Sequence, residues 1–118
     1  MKRLASLGMT LAALLLVACG KSEEQINAER GRLLIEQYGC NVCHSIPGIA
    51  GAQGSIGPAL EGLASRPAIS NGNVPNTPEN LAKFVQNPAS LNPVSNMPGL
   101  NMPDADAQAI AAYLRTLK

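Results

Sequence analysis

The stretch "YGCNVCHSI", residues 38–46, holds two cysteines three positions apart and, directly after them, the chain's one histidine. This pattern serves three kinds of chemistry: a redox disulfide, part of a zinc site, or the anchor of a covalently attached haem. A thioredoxin-like redox pair belongs to a βαβ unit, and no alternating apolar–polar run in this chain reads as a strand. A structural zinc ion takes four ligands. Cys40, Cys43 and His44 offer three, adjacent in sequence, and the remaining cysteine, Cys19, is assigned elsewhere below. The spacing suits haem c. Each thiol adds to one of two vinyl groups on neighbouring pyrroles, both within reach of one turn of chain, and His44 then lies next to the iron. Cys40 and Cys43 are therefore assigned to the covalent attachment of one haem c, and His44 to the iron.

Upstream, the chain opens "MKRLASLGMTLAALLLVACG". Lys2 and Arg3 precede an unbroken apolar run from Leu11 to Ala18, too short to span a bilayer as a finished helix. That is the pattern of an export signal, and haem c is attached outside the cytoplasm. The end of the signal, "LVAC", resembles the lipobox of bacterial lipoproteins, in which the cysteine becomes the lipid-bearing N-terminus. Residues 1–18 are thus read as a lipoprotein signal peptide and Cys19 as the lipidation site. Acyl chains contribute about 0.8 kcal/mol per buried methylene, and two or more anchor stably. The expected location is the periplasmic side of a bacterial membrane, lipid-anchored. Cleavage also removes two of the nine basic residues, leaving seven against eight acidic ones and a side-chain sum near −1. No basic patch asks for nucleic acid.

Residues 19–27, "CGKSEEQIN", are polar and read as a short tether. A helix is expected over "NAERGRLLIEQYG", capped by Asn27 and ended by Gly39, with Ile26, Arg30, Leu33/Leu34 and Tyr38 along one path. Eight of the nine prolines lie between Pro58 and Pro103. One helix interrupts this loop-rich region: Thr77 suits its N-cap, Pro78 its first position, and Pro88 its end, with Leu81, Phe84 and Val85 apolar. The last helix, in "PDADAQAIAAYLRTLK", has Asp104 and Asp106 in its first turn and a stripe of Ala109/Ile110, Tyr113/Leu114 and Leu117. The class is all-α: three to five helices wrapped around one haem, in a domain spanning 28–118. With one Phe, two Tyr and no Trp, the side chains alone make a thin core. Small domains with long loops need such an internal cofactor to pack on.

The iron's other face needs a ligand, and the processed chain has no second histidine. It has Met97 and Met102, both in "NMPGLNMPDAD" and both before proline, hence in extended backbone. Met97 lies in the loop and is the preferred ligand. Met102, at the threshold of the last helix, is expected in the core and is the alternative.

"GCNVCH", "IGPAL", "NMPGL" and "AIAAYLRTL" occur in the order seen in class I cytochromes c, and the resemblance covers Ala28 to Leu117. Within that class, "ASRPAIS" followed by "NVPNTPENLAKFVQNP" is most similar to the cytochrome c domain of bacterial haem–copper oxidase subunit II. The resemblance implies that Pro58 offers its carbonyl to the ring N–H of His44, and that Gly31 lets the first and last helices approach near Tyr113. Related sequences often carry a Trp, able to bond a haem propionate, where this one has Phe84. Arg66, or polar groups near Asn76, are expected to take over part of that role. The class further implies a carrier of single electrons between respiratory partner proteins, here membrane-tethered and directed towards a terminal oxidase, and not an enzyme. Two other readings stand beside it. One is a haem protein with a labile methionine that reduces peroxide or senses a gas. The other is an accessory electron-transfer subunit of an oxidase or dehydrogenase complex.

Overall fold

The computed structural model of the chain describes residues 20–118. Residues 1–18, expected to be a signal peptide, and Cys19 lie outside the described residues. Three α-helices carry the architecture: α1 (Glu23–Gln37), α3 (Pro78–Gln86) and α4 (Asp104–Leu114). A single turn, α2 (Cys40–Cys43), follows α1 directly, and short 3-10 turns cover Leu63–Ser65 and Pro88–Ser90. The all-α expectation holds, with one small addition. Ala68–Ile69 pairs antiparallel with Val74–Pro75, a two-residue hairpin, β1 and β2. Its turn places Ser70, Asn71 and Gly72 in succession at positive φ. Strands of two residues are too short to show the alternation by which strands are read from sequence.

α1 begins earlier than its sequence suggests. Ser22, not Asn27, is the N-cap: its hydroxyl accepts from Gln25 N–H, while Gln25 Oε1 accepts from Ser22 N–H. This reciprocal capping box satisfies two otherwise orphaned donors. Residues 23–27, read as tether, are therefore helical. The helix ends as expected, with Tyr38 N–H bonded to Leu34 C=O at 2.8 Å and Gly39 at φ 75°.

The buried side of α1 is also rotated from the expected path. Ala28, Gly31, Leu34 and Ile35 are buried, while Ile26 and Leu33 are largely exposed. The reason is Gly31. A Cβ built there would fall inside the carbonyl of Ala109, so α1 and α4 cross backbone against backbone. Only a residue without a side chain permits this, and the helix turns that bare position inward. The close approach is thus to Ala109 and Ile110 and not, as expected, to Tyr113. Tyr113 sits one turn further on, where its hydroxyl donates to Pro47 C=O at 2.8 Å.

α3 forms as read, with the Thr77 hydroxyl accepting from Asn80 N–H at 3.1 Å and Pro78 at its start. Leu81 and Val85 are buried and pack with Ile110 and Leu114 of α4 in one core that also contains Ile35, Leu63 and Met102. The α1/α4 crossing is fastened at its edge by Asp106. One carboxylate oxygen accepts from Tyr38 Oη at 2.7 Å, and the other pairs with Arg30. Tyr38's hydrogen bond holds the Asp106 carboxyl below its usual range against desolvation, and the Arg30 guanidinium adds to the lowering. The same bond to Asp106 pushes the Tyr38 phenol up.

Candidate functional site

The three helices form one side of the molecule, and the loops between them enclose a cavity of about 670 Å³ on the other. Cys40, Cys43, His44, Pro58 and Met97 all line it. α2 is the reason the first three share a wall. His44 N–H bonds back to Cys40 C=O at 3.0 Å, and Gly57 N–H bonds to Cys43 C=O at 2.7 Å, which straps residues 54–57 across the turn. Ser45 C=O accepts from Leu60 N–H at 2.9 Å and Ile46 N–H donates to Ala52 C=O at 3.1 Å, which tie down the rest of that loop.

His44 is buried, and its Nδ1 lies 2.7 Å from Pro58 C=O. A carbonyl can only accept, so Nδ1 carries a proton, and Nε2 is the nitrogen left to offer a lone pair to a metal. This fixes the tautomer a ligand needs. The ring is held by a residue whose role was not legible: a Cβ at Gly57 would collide with the His44 imidazole. In sequence Gly57 is only the glycine of "IGPAL", directly before Pro58. Burial pushes the Cys40 thiol up, with the neighbouring Cys43 adding to the effect.

The two methionines part company. Met97, half-buried, lines the cavity on the segment Asn92–Pro98. That segment is joined to the β1–β2 turn by Asn92 Nδ2 donating to Ser70 Oγ at 2.7 Å. Met102 belongs to the core and does not line the cavity. Its carbonyl is tied to the end of α3 by Gln86 Nε2 at 2.9 Å, and the same amide reaches Asp104 at 2.7 Å.

Arg66 also lines the cavity, with its Nη2 donating to Ala59 C=O at 2.7 Å and Glu61 C=O at 2.8 Å. Asn76 does not stand ready beside it. Its amide nitrogen donates to the carbonyls of Leu63 and Arg66, both at 2.9 Å, which commits both of its N–H groups. The polar groups that do line the cavity near there are Ser70, Asn71 and Asn73. Phe84 lines it as well, with no polar atom to offer.

The cavity fits a haem. Its depth is apolar, lined by Ile35, Leu63, Leu81, Val85, Ile110 and Leu114. Two thiols and a tautomer-fixed imidazole stand on one wall, and a thioether lines the same space. Among the described residues no group of three or more His, Cys, Asp or Glu could gather a bare metal ion.

The family model for cytochrome c matches residues 28–118, and the chain belongs to that family. The family's chemistry is electron transfer through covalently bound haem c, with which Cys40, Cys43 and His44 agree. Among curated proteins, the chain is 36% identical over 92 residues to cytochrome c oxidase subunit 2 of Alkalihalophilus pseudofirmus. The match covers 77% of this chain but 26% of that relative, so the chain spans about a quarter of its length.

Proposed function

We propose that the chain is a monohaem electron carrier, tethered by lipid on Cys19 to the periplasmic side of a bacterial membrane, with His44 and Met97 as axial ligands. When bound, haem c supplies an iron that changes valence by one electron; a methionine ligand raises its potential. The residues do the rest. Cys40 and Cys43 hold the group by thioethers, Pro58 and Gly57 set the His44 ring, and the apolar wall keeps water from the site. The observation that carries this reading is the pairing of His44 with Met97, and not Met102, around one cavity. His44 and Met97 would both hold the iron, which would leave electron exchange as its chemistry.

Lipid confines a carrier to a surface and raises its effective concentration beside membrane-bound partners. The similarity to an oxidase subunit supports a terminal oxidase as acceptor. Arg66 lines the cavity with Nε and Nη1 outside its two backbone bonds, and these nitrogens would be the ones to hold a haem propionate. Substituting Ala for Arg66 is expected to move the reduction potential, and an unmoved potential overturns that role.

The test of the whole is the purified, mature protein. It should be reduced and reoxidised reversibly by one electron and refuse CO when reduced. Ready CO binding would instead favour a labile methionine and a peroxidase or gas-sensing role. The mass of the N-terminal peptide should show acyl chains on Cys19; an unmodified or absent Cys19 removes the tether.

A further inference from the structure

α1 begins at Glu23, with Ser22 as its cap. Between Cys19 and the first turn of the helix stand only Gly20, Lys21 and Ser22. An extended chain spans at most about 3.6 Å per residue, so the path from Cys19 to Glu23 covers no more than about 14 Å. The fifteen residues of α1 rise about 22 Å. The leash is thus shorter than the helix it holds. Its Lys21 is also laid back along α1, where it pairs with Glu29.

Five large apolar side chains are exposed among the described residues. Ile56 and Val94 line the cavity, and Val42 lies in α2 between the two thiols. The other two stand away from the cavity, both on α1: Ile26 at 57% and Leu33 at 60%. At about 100° per residue they lie two turns apart along one line. Leu33 then points to the opposite side of the helix from Ile35, which lines the cavity. The charges beside them are largely matched. Glu29 pairs with Lys21, Arg30 with Asp106, and Glu36 with Arg32. Glu23 sits in the first turn, where the helix N-terminus complements it.

We infer that this outer face of α1, centred on Ile26 and Leu33, lies on the lipid surface to which Cys19 anchors the chain, so that the cavity opens away from the bilayer. The inference rests on the lipid-tether reading above. Its first argument is where the leash ends. Acyl chains on Cys19 keep the start of α1 within about 14 Å of the lipid, so one side of the helix must face it. Two aliphatic side chains are too few to hold a free domain on a membrane. Once the domain is held, their contact is intramolecular and needs only to choose which side is presented. The second argument is charge. A face of paired ions is neither driven off by anionic headgroups nor dependent on them, and its aliphatics suit the headgroup–acyl boundary, where helices of this kind lie in the plane of the surface.

The probe is the acylated holoprotein, reduced with ascorbate, in phosphatidylcholine nanodiscs in which a small fraction of the lipids carries chelated gadolinium. Backbone amide resonances of Ile26, Glu29 and Leu33 should broaden several-fold more than that of Val94, on the cavity's side. Equal broadening, or a larger effect at Val94, overturns the proposal. Ile26→Ser/Leu33→Ser changes two exposed positions. That variant should stay on the disc through its acyl chains and lose the contrast between positions 26–33 and 94. A contrast that survives overturns the role given to the two side chains. The unacylated Cys19→Ser protein should sediment as a monomer; a dimer that the double substitution dissociates would give the face to a second copy and overturn the proposal. The mass of the N-terminal peptide separates the two levels. An unmodified Cys19 removes the tether reading and this face with it, whereas an acylated Cys19 without the contrast removes the face alone.

Discussion

The α1/α4 crossing and the loop wall around His44 hold themselves together in opposite ways. At the crossing, Gly31 lets one helix backbone rest on the other, Ile35 and Ile110 are fully buried, and Asp106 ties the edge to Tyr38 and Arg30. The crossing closes backbone on backbone, and Ile35 and Ile110 also form part of the cavity's apolar depth. The loop wall is a shell of backbone hydrogen bonds and one tight glycine, drawn around a volume its own side chains leave open. The difference teaches where each half finds its stability. The crossing depends on its own packing, and the wall depends on what fills it.

The largest effect should come from the wall. Replacing both Cys40 and Cys43 by Ser should abolish covalent haem, read as loss of haem colour on a denaturing gel. It should also lower Tm while leaving most helical signal in place. A variant that melts like the holoprotein would show that the wall needs no filling and would break the comparison.

Next is Gly31→Ala. Its Cβ meets backbone that cannot turn aside, so about 3 kcal/mol should be lost, the upper end of ordinary overpacking. Denaturant unfolding measures it, and a neutral result would mean that the helices slide apart freely. Gly57→Ala should cost less, about 1–3 kcal/mol, because an imidazole can shift where a carbonyl cannot. Its signature is local: a changed potential and iron spectrum with the α1/α4 crossing intact.

The smallest effect belongs to the edge of the crossing. The folded pKa of Asp106 is lowered, so its contribution to stability is present above the unfolded value of about 3.9 and lost as pH falls through the folded one. Tyr38 is raised, so its share is present below about 10 and lost as pH climbs past it. Asp106→Asn should therefore flatten the stability profile at both ends. A profile unchanged by that substitution would remove the carboxylate from the account.

Much of the wall was legible in sequence because covalent chemistry fixes spacing. Two thiols and an imidazole must be near neighbours to reach one macrocycle, and the structure puts Cys40, Cys43 and His44 on one surface. Helix ends were legible where caps are strong, at Thr77, Pro78 and Gly39. What was not legible is packing without side chains. The path Ile26, Arg30, Leu33/Leu34 and Tyr38 finds buried Leu34 but not Gly31, and a glycine has no hydropathy to follow. Ser22 and Gln25 did carry a capping pattern, hidden inside a polar stretch that read as tether. The Asp106 cluster joins residues 68 and 76 positions apart, a separation that periodicity within one helix cannot bridge.

The central claim is that the cavity shared by His44 and Met97 is the haem site, with Met102 left to the core. The most direct measurement is the weak red thioether–iron charge-transfer band of the oxidised protein in two variants. Met97→Ala should lose the band and admit CO, while Met102→Ala should keep the band and lose only stability. The opposite pattern, a band surviving Met97→Ala and vanishing with Met102→Ala, would contradict the account.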